Sequence, residues 1–534
     1  MKAGLYWRTI RHLRRRQLLE LLWHRLRRRP RIRLPAQAPP ATFVTVPQAK
    51  KTMSWQAGNM TFLNQLVCFQ RGKALAIDWE YAANGKLWTY QLNYFDFLNQ
   101  PDMSQETGLI LMLNFVRQTP ALRTALEAYP TSLRIMNWIQ FLSRFQYSSA
   151  LIDRHLFAQV KLLNHRLEHH LAGNHLLENG FALLAGAMYF RQRNWLQKAT
   201  SLIRSELQSQ LLADGGHEER SPVYHQVLLD RLLDSILIVR STNWRADWSF
   251  QQLLIQKAWQ MLSWLESMTF ANGDIPMVND AAWGAAPTTR ELRQKATQLL
   301  PEVTTVPRPS VVNLASTGYR AFLLPRYKLV VDVGDIGPDH QPGHAHADTF
   351  SFVLYAGQQP ILVDSGTSTY QPGARRNWER STAAHNTVEV AGQNSSEVWS
   401  VFRVGRRARV QILEHTNSLL RARHNGYRHL KINHERQWIA LPNSIQIIDF
   451  VDNQRKNVTL KAIARYYIHP DVAVTRVSDG VIAGPWRIQG QADEPLSMRL
   501  TTYELAEGFN RLRSGLCLEI TFSTKLETKL TLIA

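Results

Sequence analysis

Residues 516–523 read Leu-Cys-Leu-Glu-Ile-Thr-Phe-Ser. The large apolar side chains Leu516, Leu518, Ile520 and Phe522 fall at every second position, the period of a strand with one buried face. Moving back along the chain, short apolar or alternating runs recur at 327–333, 350–355, 387–390 and 445–451, and forward at 529–532. No helical pattern separates them, which predicts an antiparallel sandwich. Before about residue 310 the period is different. In 222–240, Leu229, Leu232, Leu233 and Ile236 line one helical face, Ser221 stands where a helix cap belongs, and Pro222 suits the first helical position. Helical patterns also cover 107–118, 132–145, 156–171, 175–190, 195–212 and 250–268. Their short Gly, Pro or Asn punctuation predicts antiparallel helical hairpins. Helices first and strands second imply two packed domains of an α+β chain rather than one α/β sheet.

The 534 residues are 45% hydrophobic and 20% charged, ordinary globular usage that excludes disorder over most of the length. No apolar run reaches 18 residues, so no spanning helix is expected. Cys68 and Cys517 form no disulfide framework and no zinc-finger spacing. The net charge is +21, about half of it in residues 1–33, which hold twelve Lys and Arg against the single acid Glu20. The remainder is also basic. A polyanionic glycan, nucleic acid or lipid headgroups would each suit such a surface, but no nucleic-acid module is recognised and no nucleic-acid partner is expected.

Residues 1–29 read as a basic amphipathic helix, with Ile10, Leu13, Leu18, Leu21 and Leu22 spaced among arginines. It is either an interfacial membrane helix or a helix packed on its own domain. Arginines interrupt every apolar stretch that a cleavable secretory signal would need. Pro30, Pro35, Pro39, Pro40 and Pro47 then mark a linker, giving a segment 1–50, a helical domain 51–305 and a sandwich 306–534.

Three polar clusters interrupt these patterns. Gly173-Asn174-His175-Leu176-Leu177-Glu178 opens a helix. Asn174 could be its cap, while His175 and Glu178, one turn apart, face the same side. In the second, Asp214-Gly215-Gly216 leads through Glu219-Arg220-Ser221-Pro222 to Tyr224 in the first helical turn. There the helix dipole and Arg220 would lower the phenol's pKa from about 10. Tyr224 is then either a proton-transfer group or a packed core tyrosine. The third is Gly343-His344-Ala345-His346-Ala347-Asp348. With Asp364 and His385 further on, a His/Asp/His metal site on one face of a sheet is possible. The clusters are richer in His and Tyr than in paired carboxylates, which disfavours a glycoside hydrolase.

In this order, the clusters resemble the heparinase II/III family of polysaccharide lyases. Ile77-Asp78-Trp79, Leu87-Trp88-Thr89-Tyr90, Ser132-Leu133-Arg134-Ile135-Met136-Asn137-Trp138, Val363-Asp364-Ser365-Gly366 and Ala384-His385-Asn386-Thr387 extend the resemblance over residues 60–534. It implies an incomplete α/α toroid followed by an antiparallel β-sandwich, with a cleft between them. The implied activity is β-elimination at a uronic acid of an acidic polysaccharide. The alternative on the same fold is a non-catalytic glycan-binding or exopolysaccharide-assembly factor. By resemblance, Asn174 neutralises the uronate carboxylate and His175 assists it or acts as base. Tyr224 serves as base and acid or as acid alone, and His344 as base or partner. His346, Asp364 and His385 match a site for one structural zinc. Arg134, Asn137, Trp138, Glu178 and Arg220 would bind sugar or orient Tyr224. The implied location is the cell envelope or periplasm, with a cytoplasmic or membrane-peripheral protein as the alternative. The arginine-rich start has no counterpart in the family's degradative members.

Overall fold

The structure is a computed structural model and describes residues 2–27, 29–45, 51–71, 74–245, 247–300, 311–454, 461–492 and 496–533. The helical part comprises α3 (Lys86–Tyr94), α4 (Gln105–Gln118), α5 (Ala128–Arg144), α6 (Ala150–Asn164), α7 (Gly173–Tyr189), α8 (Arg193–Gln210), α9 (Pro222–Arg240), α10 (Trp248–Met268) and α11 (Thr289–Leu299). They follow α1 (Lys2–Ile10) and α2 (Arg15–Leu26). Alternate helices share a layer. Helices α3, α5, α7, α9 and α11 pack in succession on one side, and α4 against α6 and α8 against α10 on the other. This two-layered incomplete toroid follows from the residue pattern. Helix α7 is buried on nearly every face and is apolar almost throughout, because it packs on α5, α6, α8 and α9. Helix α8 buries the stripe Trp195, Ala199, Ile203 and Leu207 and, at its end, Gln210.

The C-terminal part is an antiparallel sandwich of a nine-stranded and an eight-stranded sheet among the described residues. Strand Leu512–Phe522 lies in the first, between Ser497–Ala506 and Ala462–Ile468. Strand Ser444–Asn453 lies in the second, between Ile432–Leu441 and Lys525–Leu532. Its alternate residues Ile445, Ile447, Asp449 and Val451 are buried, as a half-covered strand requires. The core between the sheets holds Trp438, Trp486, Phe352 and Tyr466. It also encloses a charge pair. Arg436 Nε and Nη2 donate to Asp449 Oδ1 and Oδ2 at 2.6 and 2.9 Å, and Nη1 donates to the carbonyls of Phe350 and Asn386. One short helix, α12 (Ala374–Glu379), lies in the connection between strands Gln359–Leu362 and Val388–Val390.

The two parts meet along the nine-stranded sheet. Phe270 stacks on Tyr355 with ring centroids 3.8 Å apart. Thr317 donates from N and Oγ1 to Asp214 Oδ2 at 2.7 and 2.9 Å and accepts from Trp264 Nε1 at 3.1 Å. The expected domain division at 305/306 and the linker proline Pro47 lie outside the described residues.

Two features differ from the sequence reading. The expected helix 1–29 is two helices broken at residues 11–14, both resting on the protein's own surface. The proline-rich segment does not hang free. Arg154 Nε donates to the Pro35 carbonyl at 2.7 Å, Thr42 N to the Tyr189 carbonyl at 2.7 Å, and Ile32, Ala38 and Ala41 pack on the toroid core. Its prolines, lacking N–H donors, suit a strap that runs extended over a surface. A three-stranded sheet at 55–68, not read from the sequence, follows it.

Removing one partner of the buried Arg436–Asp449 pair strands the other's charge. Asp449→Ala is expected to lower stability by about 3–5 kcal/mol, read from the denaturant midpoint of the sandwich's unfolding transition.

Candidate active site

At the toroid–sandwich seam, three successive inner helices begin at one place. Tyr129 lies at the second position of α5, Asn174 and His175 at the second and third of α7, and Tyr224 at the third of α9. The entry to α7 is sharp. Ala172 and Gly173 both have φ of 55°, so Ala172, not Asn174, is the cap residue. A methyl group on Gly173 would collide with Glu219 Oε1. That absence of a side chain lets Glu219 reach the helix end. Asn174 donates to Glu219 from N to Oε1 at 3.1 Å and from Nδ2 to Oε2 at 3.3 Å. His175 packs at a tilt of 33° on Tyr129 with centroids 4.1 Å apart, and its Nδ1 lies 3.4 Å from Glu168 Oε2. Burial pulls the imidazole's pKa down, but Glu168, with Glu219 and Glu178 behind it, outweighs burial and leaves it above the ordinary histidine value.

The sandwich supplies the facing wall. His344 packs at a tilt of 31° on Tyr224 with centroids 3.9 Å apart, and its Nε2 lies 3.7 Å from Glu219 Oε2. Tyr370, from the loop before α12, places its hydroxyl 3.0 Å from that of Tyr224. Asn174 and His344 therefore converge on Glu219, and Tyr224 joins them through its ring contact with His344. The expected depression of the Tyr224 phenol is reversed. Burial first, then Tyr370 and the carboxylates of Asp280 and Glu219, hold it well above its ordinary value. Arg220 does not oppose them. Its backbone takes a left-handed turn, its carbonyl accepts from Tyr319 and Asn279, and its guanidinium turns away to the Asp335 carbonyl.

One carboxylate organises the wall. Asp280 accepts from Arg376 Nη1 and Nη2 at 2.5 and 2.8 Å, and lies 3.0 Å from His344 Nδ1 and 2.9 Å from His346 Nε2. Its backbone N–H donates to the His344 carbonyl at 3.0 Å. Burial pushes its pKa up, but Arg376 and the two imidazoles hold it well below the usual carboxylate range.

His346 and His385 lie 5.3 Å apart by ring centroid, and His385 Nδ1 is 2.7 Å from Asp364 Oδ2. The donor chemistry fits a metal ion. Asp280 fixes one nitrogen of His346 and leaves the buried Nδ1 without a hydrogen-bond partner, as a carboxylate-oriented ligand requires, and His385 Nε2 and Asp348 Oδ2 are likewise buried and unpartnered. As placed, no three His, Cys, Asp or Glu side chains among the described residues close on a common point.

The remaining residues expected near sugar are placed elsewhere. Arg134 is fully buried, donating to Gln159 Oε1, Thr131 Oγ1 and the carbonyls of Asn93 and Ala125. Asn137 ties Asp96 and the Tyr94 carbonyl to α5. Trp138 is in the toroid core. Glu178 is buried 3.5 Å from Arg231 Nε, and burial lifts its carboxyl to about 7 against the pull of Arg231. All four sit on helix faces turned into the toroid. The aromatic ring beside His175 is that of Tyr129. The residues missed by sequence reading are Glu219, Asp280, Tyr370 and Arg376. The polar pair Asn279-Asp280 within Val278-Asn279-Asp280-Ala281-Ala282 was the one local signal for Asp280.

The chain belongs to the heparinase II/III family. Its heparinase II/III N-terminus model matches residues 44–306 and its heparinase II/III-like C-terminal model residues 306–531. Two relatives are heparin-sulfate lyases. That of Bacteroides stercoris is 24% identical over 311 residues, 54% of this chain and 45% of the relative. That of Pedobacter heparinus is 26% identical over 247 residues, 42% of this chain and 36% of the relative. The chain thus matches less than half the length of either. A crystal structure of heparinase III has the same fold, with a TM-score of 0.72 over 97% of this chain and 89% of that one at 15% identity.

Gly173→Ala adds a strained left-handed alanine and a clash with Glu219. The expected cost is about 1–3 kcal/mol, with loss of the Asn174–Glu219 contact visible in the Asn174 amide resonance. The His175–Glu168 pair sets a pH window. His175, raised in the fold, contributes fully below its unfolded value of about 6.5 and loses that contribution as pH rises through the folded value. Glu168 is pushed up by burial but held below its ordinary value chiefly by His175, so its contribution is lost as pH falls through the folded value. Denaturant midpoints measured against pH should show His175→Gln removing part of the alkaline decline and Glu168→Gln part of the acid decline.

Proposed function

We propose that the protein is a polysaccharide lyase that cleaves a uronic-acid-containing acidic polysaccharide by β-elimination in this cleft. The observation that carries the reading is the convergence of Asn174, His175, Tyr224 and His344 where α5, α7 and α9 begin. Helix starts present unpaired N–H groups and the positive end of the dipole, an environment that favours a carboxylate. Asn174 already holds one carboxylate, that of Glu219, on its amides. The imidazole of His175, raised in pKa, adds positive charge beside it. Together they would neutralise the uronate and lower the energy of the enolate-like charge.

His344 is suited to be the base. Asp280 orients the ring through Nδ1, while Nε2 faces Glu219 and the cleft. It would take the proton from the carbon next to the carboxylate. The electron pair released forms the carbon–carbon double bond as the glycosidic carbon–oxygen bond breaks. The departing oxygen takes the proton of Tyr224, whose buried phenol is held in the protonated form. Tyr370 hydrogen-bonds that phenol and would stabilise the phenolate left behind, and the proton taken up by His344, packed against Tyr224, would pass back to it through solvent to restore both groups.

A zinc ion on His346, Asp364 and His385 would act as a structural tie behind His344 and would not touch substrate. It would fix the strands that carry the facing wall. The compartment that suits such a substrate is the cell envelope.

Purified protein offered a panel of uronate polymers should release an unsaturated, ultraviolet-absorbing product. Tyr224→Phe should lower that rate about 10²–10⁴-fold while polymer binding persists. Cleavage that survives both Tyr224→Phe and His344→Ala would overturn the assignment, and binding without cleavage of any uronate polymer would favour the glycan-binding alternative. Elemental analysis should find close to one zinc per chain, and His385→Ala should lose it with a fall in Tm.

A further inference from the structure

The N-terminal arm bridges both domains beside the cleft. On the sandwich, Arg8 donates from Nε and Nη2 to Glu397 at 2.8 and 2.7 Å, and Trp399 Nε1 donates to Thr9 Oγ1 at 3.1 Å. On the toroid, His24 stacks on His170 at 4.2 Å, Arg27 Nη1 donates to the His165 carbonyl, and Arg16 Nη2 lies 3.2 Å from His169 Nε2. Between them, the buried Gln17 reaches the His340 carbonyl at 3.4 Å, four residues before His344.

Helix α2 is mounted the wrong way round for a surface helix. Gln17 is the residue buried against the protein, and His24, itself exposed, leans on His170. Leu18, Leu19, Leu22, Trp23 and Leu26 are exposed, with Leu19 and Leu26 69%, Leu22 59% and Trp23 54% exposed. At 3.6 residues per turn these five side chains form one continuous arc of roughly 140°. Arg16 and Arg25 border the arc and Arg15 stands at its N-terminal end. On α1, Trp7 is 67% exposed. An amphipathic helix ordinarily turns its apolar stripe to the core. Here the stripe is presented outward, rimmed by cations.

We propose that α2 docks this face onto an anionic lipid surface, lying in the interface with its leucines and Trp23 among the acyl chains and its arginines at the headgroups. Among the described residues no helix is long and apolar enough to cross a membrane, so the contact is peripheral. Both halves of the pattern are needed to choose the occupant. An acidic glycan satisfies the arginines but offers no apolar phase to the leucines. A second copy of the chain offers an apolar stripe but, in a two-fold contact, sets the same arginines against each other. A bilayer with anionic headgroups answers both. Because α2 also touches the loop before His344 and the loop before His175, docking would hold the cleft close to the lipid surface.

The test is flotation of the full chain with phosphatidylglycerol/phosphatidylethanolamine vesicles, with phosphatidylcholine vesicles for comparison. The wild type is expected to float with the anionic vesicles, less so at high salt. The variant Leu19→Ser/Leu22→Ser/Trp23→Ser/Leu26→Ser alters only exposed positions and should keep its unfolding midpoint while its vesicle partitioning falls at least about tenfold. Arg15→Ser/Arg25→Ser, which leaves the stripe intact, should remove the preference for anionic over zwitterionic vesicles. A wild type that stays unbound with anionic vesicles overturns the proposal, as does a serine variant that floats like the wild type. A serine change that only converts a dimer to a monomer in sedimentation equilibrium assigns the face to a second copy. Flotation is read without polymer, so its failure leaves the lyase assignment where it stands.

Discussion

The site depends on how one buried carboxylate is shared. Asp280 belongs to the loop between α10 and α11, yet its partners, His344, His346 and Arg376, all come from the sandwich domain. A carboxylate with no exposure is tolerated only when its charge is matched and its lone pairs are used. Arg376 supplies the charge in a two-toothed contact and is itself tied to the Val401 carbonyl. The imidazoles supply the remaining donors. The same contact then does three things. It fastens the toroid to the sandwich, sets the ring orientation of His344, and leaves the outer nitrogen of His346 free of any protein partner. Removing the carboxylate would unfasten all three together, because Arg376 shares Oδ1 with His346 and Oδ2 with His344.

The second constraint is the parallel start of α5, α7 and α9. In a double-layered toroid of helical hairpins, alternate helices run in the same sense, so their N-termini gather at one end. The architecture therefore concentrates positive potential without a cluster of lysines. The acidic residues placed there, Glu168 and Glu219, do not cancel it at random. Each is tied to named site residues, Glu168 to His175 and Glu219 to Asn174 and His344. The cleft combines a field that favours an anion with a phenol that burial keeps protonated. This is why the dipole argument applied to Tyr224 alone gave the wrong sign. Desolvation and three nearby oxygen-bearing groups, Tyr370, Asp280 and Glu219, outweigh the helix end at the phenol.

The fold was legible because periodicity is a local signal. Strand Leu512–Phe522 and helix Pro222–Arg240 were readable from their own side chains, and other helix ends came within four residues, except that the helix read at 156–171 is Ala150–Asn164 and that Lys86–Tyr94 and Thr289–Leu299 were not read. The convergence of Asn174, Tyr224 and His344 was also legible, since each interrupts an apolar pattern with groups that a core would not need. Arg134, Asn137 and Trp138 show the limit of that reasoning. They look like sugar-binding side chains, but they lie on α5 in the toroid wall, where Arg134 and Asn137 donate to the carbonyls of Asn93 and Tyr94 at the end of α3 and Trp138 is packed in the core. Asp280, Tyr370 and Arg376 could not be paired from sequence, because nothing local states that residues 96 positions apart share one carboxylate.

The arm raises a different question, since its pattern was read as amphipathic but its orientation could not be. An apolar stripe says that something apolar covers it and does not say what. The orientation follows from which groups the body of the protein offers. The surface under α2 presents the His340 and His165 carbonyls and the rings of His169 and His170, all polar partners. Only Gln17, Arg16, His24 and Arg27 answer them. Turning the leucines inward would bury those carbonyls against methyl groups and expose the glutamine, trading satisfied hydrogen bonds for unsatisfied ones. The polar footing thus fixes the helix with its stripe outward, and the outward stripe is the cost of a contact that spans both walls of the cleft.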